Sequence, residues 1–177
     1  MPEVPGAGGG FARVAPLLTA LTLHTRLYAN CLAGMSDEAA SRRPSAHTNS
    51  AAFIAAHVAD SRFFLAGVVG VTPANPLADH LAGAASIGEL ANCPSVAESL
   101  AAWDTVSAPL VAQLARLDAA TLDRPAPQRF PVDDRSILGA IAFLAHHEAY
   151  HIGQLALLRK YAGLPAMSYA ARPAAAP

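Results

Sequence analysis

FLAHHEAYHIGQLALLRK, residues 143–160, holds the densest group of chemically capable side chains in a chain otherwise rich in alanine and leucine. At about 100° per residue, Ile137, Ile141, Leu144, His147, His151, Leu155 and Leu158 fall on one side of a helix, and His146 points nearly the opposite way. Two imidazoles four residues apart on one face start about 5–6 Å apart, a spacing from which both reach a single metal ion. The same residues spell His147-Glu148-Ala149-Tyr150-His151, the H-E-x-x-H pattern in which zinc proteases use the glutamate as general base to metal-bound water. Such proteases take a third ligand from downstream. Here Leu157 stands six residues past His151, and Ile152 to Pro177 contains no Asp, Glu or His, so a third ligand has to come from upstream.

Composition narrows the classes. The 177 residues suit one domain, and 12 Lys+Arg against 13 Asp+Glu, scattered along the chain, give no basic face for nucleic acid. The hydrophobic fraction is 53%, yet the longest strictly apolar runs, such as 137–145, stop near ten residues where a bilayer needs about 20. A soluble, cytoplasmic protein without a membrane partner is expected, since Glu3, two early prolines and a glycine run do not resemble a secretion signal. Cys31 and Cys93 read as ordinary buried or half-buried thiols.

Outward from the histidine stretch, the sequence predicts four long helices and no strands. Residues 1–10 read as a flexible leader. Leu17, Leu21, His24, Tyr28 and Cys31 mark an amphipathic helix from Phe11 to about Met35, placing His24 inward either as a hydrogen-bonded core residue or near a metal. Ser36-Asp37-Glu38 reads as a short capped turn closed by Pro44. A second helix runs from the caps Asn49-Ser50 to Gly70, with Ser50, Phe53, His57, Ser61, Phe64 and Val68 on its inward face and Asp60 flanking His57. The connection from Val71 to Pro94 is expected to hold a short helix over 86–92. Ser95-x-x-Glu98 is a capping box opening a third helix with Leu100, Trp103, Leu110 and Leu114 inward, Trp103 as core. A proline-bearing connection from Ala119 to Asp134 leads to the fourth helix, which starts at Asp134 or Arg135 and ends before Gly163-Leu164-Pro165. Residues 164–177 form an Ala/Pro-rich tail, frayed or laid against a partner subunit.

The fold class is therefore all-α, a four-helix bundle, whose facing helices converge inward side chains. The absence of a sheet weakens the protease reading. His57, His147 and His151 together make a three-histidine site with positions left for water or substrate, the alternative being three core histidines satisfied separately. Imidazole suits zinc, nickel, copper and ferrous iron alike. Glu148 is either a general base or an ordinary surface glutamate on the helix flank; Gln154 lies on the other flank, Asp60 is a neighbour for His57, and Tyr28 and His24 are candidates to wall the pocket.

The order of these parts, with His147-x-x-x-His151-x-Gly153-Gln154 following a histidine in the second helix, and the framing segments Arg43-Pro44, Asn49-Ser50, Ala56-His57 and Gly67 to Gly70, resembles the DinB-like family over about Phe11 to Gly163. The resemblance implies a bundle of the DinB/YfiT-like type, frequently a homodimer, with His57, His147 and His151 as ligands to a divalent metal. Zinc or nickel is the leading expectation, with iron or manganese behind. Relatives in the wider superfamily include thiol-dependent isomerases and S-transferases. The expectation that follows is an enzyme acting on a small molecule, in which the metal activates a low-molecular-weight thiol or water for transfer or hydrolysis. A non-catalytic metal-binding or stress-response module is the alternative, and an H-E-x-x-H protease the third reading.

Overall fold

The computed structural model describes residues 9–82 and 92–171. Four long helices, α1 (Gly9–Leu32), α3 (Ala51–Val68), α5 (Val96–Leu114) and α7 (Ile137–Tyr161), form the bundle, and the short α2 (Asp37–Ser41), α4 (Ala78–Leu81) and α6 (Ala119–Leu122) lie in its connections. The chain is all-helical among the described residues apart from one isolated bridge between Pro125 and Ser136.

Starts and stops follow local chemistry. The side chains of Ser36, Ser50, Ser95, Asp118 and Ser136 each accept a backbone N–H of the first turn they cap, and Ser95 and Glu98 complete the reciprocal box. Gly34 and Gly163 follow the ends of α1 and α7 with φ of 71° and 77°, a left-handed conformation that glycine adopts without strain.

Around the bundle α7 packs on α1 and α3, and α5 packs on the same two, so α7 and α5 are diagonal partners. The core is built from α1 residues Val14, Leu21, Tyr28 and Cys31, α5 residues Trp103, Val106, Leu110 and Leu114, and the small-residue face of α3. Tyr28 stacks on Trp103 with ring centroids 4.1 Å apart and donates its hydroxyl to the Ala55 carbonyl. By length and composition α3 would suffice to cross a membrane, but 67% of it is buried inside the bundle.

Several boundaries differ from the expectation. The first helix starts at Gly9, inside the expected leader, of which residues 1–8 lie outside the described residues. The fourth starts at Ile137, because the Asp134 carboxylate accepts the Ser136 N–H and Ser136 then acts as the cap. Gly139 permits the close approach of that entry loop: a Cβ there would sit 2.2 Å from the Asp134 carbonyl oxygen. The short helix expected over 86–92 falls almost wholly outside the described residues, while α4 and α6 occupy stretches read as irregular. Phe64, expected inward, is 40% exposed and leans on Phe130.

The tail, as far as Ala171, is held along its own chain. Asn30 of α1 donates to the Ser168 and Ala170 carbonyls at 2.7 and 3.0 Å. Buried Arg159 of α7 donates to the Pro165 carbonyl at 2.7 Å and reaches the Cys31 and Ala33 carbonyls. Residues 164–171 therefore strap the C-terminal end of α7 to α1.

Candidate metal centre

The apolar stripe of α7 is not centred where its histidines are. Ile141, Leu144, Ala145, Ile152, Leu155 and Arg159 are buried and lie within about 60° of Glu148 on the wheel, whereas His147 and His151 stand about 100° and 60° to one side. That side faces α3. His57, pointing from α3, meets them there in a half-buried position.

The three Nε2 atoms converge. His147 Nε2 is 3.1 Å from His57 Nε2 and 3.1 Å from His151 Nε2. The rings meet edge to face, with centroids 4.4 to 5.0 Å apart. His151 Nδ1 lies 2.7 Å from Gln154 Oε1, and Gln154 Nε2 donates to the Tyr150 hydroxyl at 3.1 Å. An amide oxygen only accepts, so Nδ1 of His151 carries the proton and its Nε2 presents a lone pair to the cluster.

This arrangement fits a cation better than hydrogen bonding. A neutral ring nitrogen either donates or accepts, and one N–H on His147 cannot serve both neighbours at full strength. A cation at the centre draws all three lone pairs to one point. With metal–nitrogen bonds of about 2.0–2.1 Å, tetrahedral ligands stand about 3.3 Å apart and octahedral ones about 2.9 Å, which brackets the two 3.1 Å separations at His147, and the three ligand atoms all lie within 4.8 Å of one another. Charge points the same way. Burial holds His57 below the ordinary histidine range, with His151 adding to the effect, and holds His151 below it against the raising influence of Gln154. Burial, then His151 and His57, bring His147 down to about 4. All three are thus neutral near pH 7, the form that ligates. The group is compatible with a divalent metal. One partner is missing: His147 Nδ1 is buried without a hydrogen-bond partner among the described residues.

Glu148 is neither a surface glutamate nor a free base. It is 1% exposed, and Arg62 of α3 grips both of its oxygens at 2.9 Å. His24 Nδ1 of α1 stands 3.2 Å from Oε2. Burial alone would raise its pKa, but Arg62 and His24 outweigh that and hold the carboxyl below its usual range. Arg62 itself is fully buried. Its remaining N–H groups reach Thr25 and Ser107 hydroxyls at 2.7 Å and the Leu21 carbonyl at 2.9 Å, and the guanidinium lies 3.6 Å over the Trp103 ring. Side chains of all four long helices thus meet at one arginine, a buried charge tolerated only because every donor is satisfied.

Other expected neighbours are placed differently. Asp60 accepts from Asn75 at 2.6 Å and makes no hydrogen bond to His57. His24 and Tyr28 belong to the bundle interior, with Glu148 and Trp103 respectively, and do not wall the histidine cluster. Phe53 and Phe143 do, at centroid distances of 6.0 Å from His57 and 6.2 Å from His147.

Arg62 is the residue the sequence reading missed. Its signal is position: Val58, Leu65 and Ala66, one turn before and after it, are apolar, so it sits in phase with the core face, where an unpaired arginine is untenable. A model of the DinB superfamily matches residues 20–155, a span that takes in the three histidines, Arg62, Glu148 and Gln154. No curated protein matches the chain.

Proposed function

We propose, from the premise that this chain belongs to the DinB superfamily, that it is a divalent-metal-dependent enzyme whose histidines 57, 147 and 151 hold zinc or nickel and whose nucleophile is a small thiol or water. Convergence of three neutral imidazoles, with the Nε2 atoms of His57 and His151 each 3.1 Å from that of His147, carries the reading. An ion held by three imidazoles keeps positions for exogenous ligands and lowers the pKa of a water or thiol bound there.

The chain's own residues favour thiol transfer over hydrolysis. Gln154 keeps His151 in the tautomer that ligates, and Phe53 and Phe143 shield the flanks of the cluster. Hydrolysis of the H-E-x-x-H type needs a glutamate free to take a proton from water. Glu148 is committed to Arg62 and His24, and Asp60 to Asn75. A thiol, ionised near neutral pH when bound at a metal, needs no such base.

The proposal extends to a cytoplasmic homodimer acting on a small molecule. Two free cysteines support a reducing compartment. The exposed stripe of Tyr150, Leu157 and Tyr161 along α7 supports self-association. A non-catalytic role has one observation in its favour, that an ion there would join α3 to α7.

Cobalt substitution decides between them. Protein purified without a histidine tag is expected to take up one Co(II) per chain, and the visible bands are expected to shift when a small thiol is added. Bands indifferent to thiols and anions would mark a closed, structural site; no stoichiometric uptake would end the metal reading.

A further inference from the structure

Arg159, in the last turn of α7, is 9% exposed and has no carboxylate within salt-bridge distance among the described residues. Its own strap supplies none, since Ile152 to Pro177 contains no Asp or Glu. Its Nε donates to the Pro165 carbonyl and its Nη1 to the Cys31 and Ala33 carbonyls. These carbonyls stand at the ends of α1 and α7, and a helix C-terminus carries about half a negative charge, so they offset part of the cation. They leave Nη2 out: neither of its N–H groups has an acceptor among the described residues. The other buried guanidinium is treated differently, for Arg62 has a carboxylate on it and an acceptor at every nitrogen.

A cavity of about 390 Å³ is lined by this arginine together with Asn30, Ala33, Ala166, Met167 and Ala170. Asn30 brings a second unmet group: its Nδ2 holds the strap, while its Oδ1 is buried with no donor among the described residues. A buried charge without a counter-charge is costly, and an anion in contact with it removes that cost. With Nε and Nη1 committed, the arginine offers two N–H groups on one nitrogen, enough for one carboxylate and too few for a phosphate dianion. The alanine and methionine wall suits an aliphatic body and disfavours a second charge.

We propose that this cavity is a binding site for a small aliphatic carboxylate, whose charged end accepts from Arg159 Nη2 and whose chain lies on Ala33, Ala166, Met167 and Ala170. The site is separate from the histidines. Arg159 stands eight residues, about 12 Å, beyond His151 along α7, and it reaches α1 rather than α3. Because Arg159 and Asn30 also hold the carbonyls of Pro165, Ser168 and Ala170, a bound carboxylate tightens the strap on the end of α1.

Hexanoate, butyrate, hexylamine and inorganic phosphate, titrated by calorimetry into the full-length chain, test the proposal. Hexanoate is expected to fill one site per chain, about fivefold more tightly than butyrate because two more methylenes are partly buried, with hexylamine and phosphate weaker by about tenfold or more. Hydrogen exchange is expected to slow with hexanoate over residues 30–34 and 159–171 and to stay unchanged over 144–152. Ala33→Leu fills the cavity yet keeps the carbonyl that Arg159 uses, and is expected to weaken hexanoate about tenfold. Arg159→Gln is expected to abolish binding, and His151→Ala, which removes one of the clustered imidazoles, to leave it unchanged. Should Arg159→Gln loosen the fold by circular dichroism, Ala33→Leu decides alone. No saturable hexanoate binding, hexylamine or phosphate bound as tightly, protection falling on 144–152, affinity lost in His151→Ala, or affinity undiminished in Ala33→Leu or in a folded Arg159→Gln would each overturn the site.

Discussion

At residue scale the molecule separates two tasks that one short motif would have joined. Adjacent residues His147 and Glu148 point to different neighbours, the imidazole to the α3 side and the carboxylate to Arg62 in the centre. Replacing His57, His147 or His151 by alanine should abolish stoichiometric metal binding with the helices intact, whereas His146→Ala and His80→Ala should leave metal content unchanged by elemental analysis. Equal content in all five variants would refute the assignment. Glu148→Ala should behave differently, since it strands a buried guanidinium. A loss of about 3–5 kcal/mol is expected from urea titration, as for other buried pairs broken on one side. Gln154→Leu should leave urea stability nearly unchanged but weaken metal affinity about 10- to 100-fold by releasing the tautomer of His151, measured by competition with a chelator.

At the scale of elements, capping and periodicity made the helices readable, and the long-range partners did not show. Ser50, the Ser95-Glu98 box and Gly163 announce their ends locally, so α3, α5 and the end of α7 were legible within a few residues. The start of α7 depended on whether Asp134 or Ser136 capped it, two residues that serve equally well in sequence. The rotation of α7 was misread for a physical reason: hydrophobic periodicity counts a glutamate as outward. Only Arg62, 86 positions away in sequence, turns Glu148 into a core residue. His57 was legible because it lies amid aromatics, while Asp60, one turn on, found Asn75 from a loop whose path no periodicity encodes. Gly139→Ala tests the packing of this element most directly. Its Cβ meets backbone rather than a mobile side chain, so a fall of several degrees in Tm is expected by calorimetry, with Ser136→Ala, which removes only a cap worth about 1 kcal/mol, as the milder comparison.

For the whole molecule, acidification should act in two stages on the metal-free protein. His147 falls from 6.5 to about 4 on folding, so the unfolded chain takes up this proton first; the contribution is fully present above pH 6.5 and is lost as pH falls toward 4. Glu148 has its carboxyl pKa lowered in the folded state, so its contribution is present above the unfolded carboxylate range, about pH 4.3, and disappears as pH drops through the folded value. Urea midpoints measured from pH 8 to 3 should therefore decline gently at first and steeply below about pH 4.5. A midpoint flat across the upper stage would argue against neutral, buried imidazoles at the cluster. Saturating zinc should raise Tm at pH 7 in proportion to the logarithm of its concentration.

Metal held by the histidines would also set how long the protein lasts. His57 and His147 are 90 positions apart, so an ion shared between them would tie off more than half of the chain as a covalent bridge does, with a ceiling on the order of 4 kcal/mol by analogy with a disulfide of similar span. Unlike such a bridge, a metal clasp would be undone by a chelator and remade by resupply. Lifetime against proteolytic turnover would then track the metal available to the cell, making abundance a record of supply.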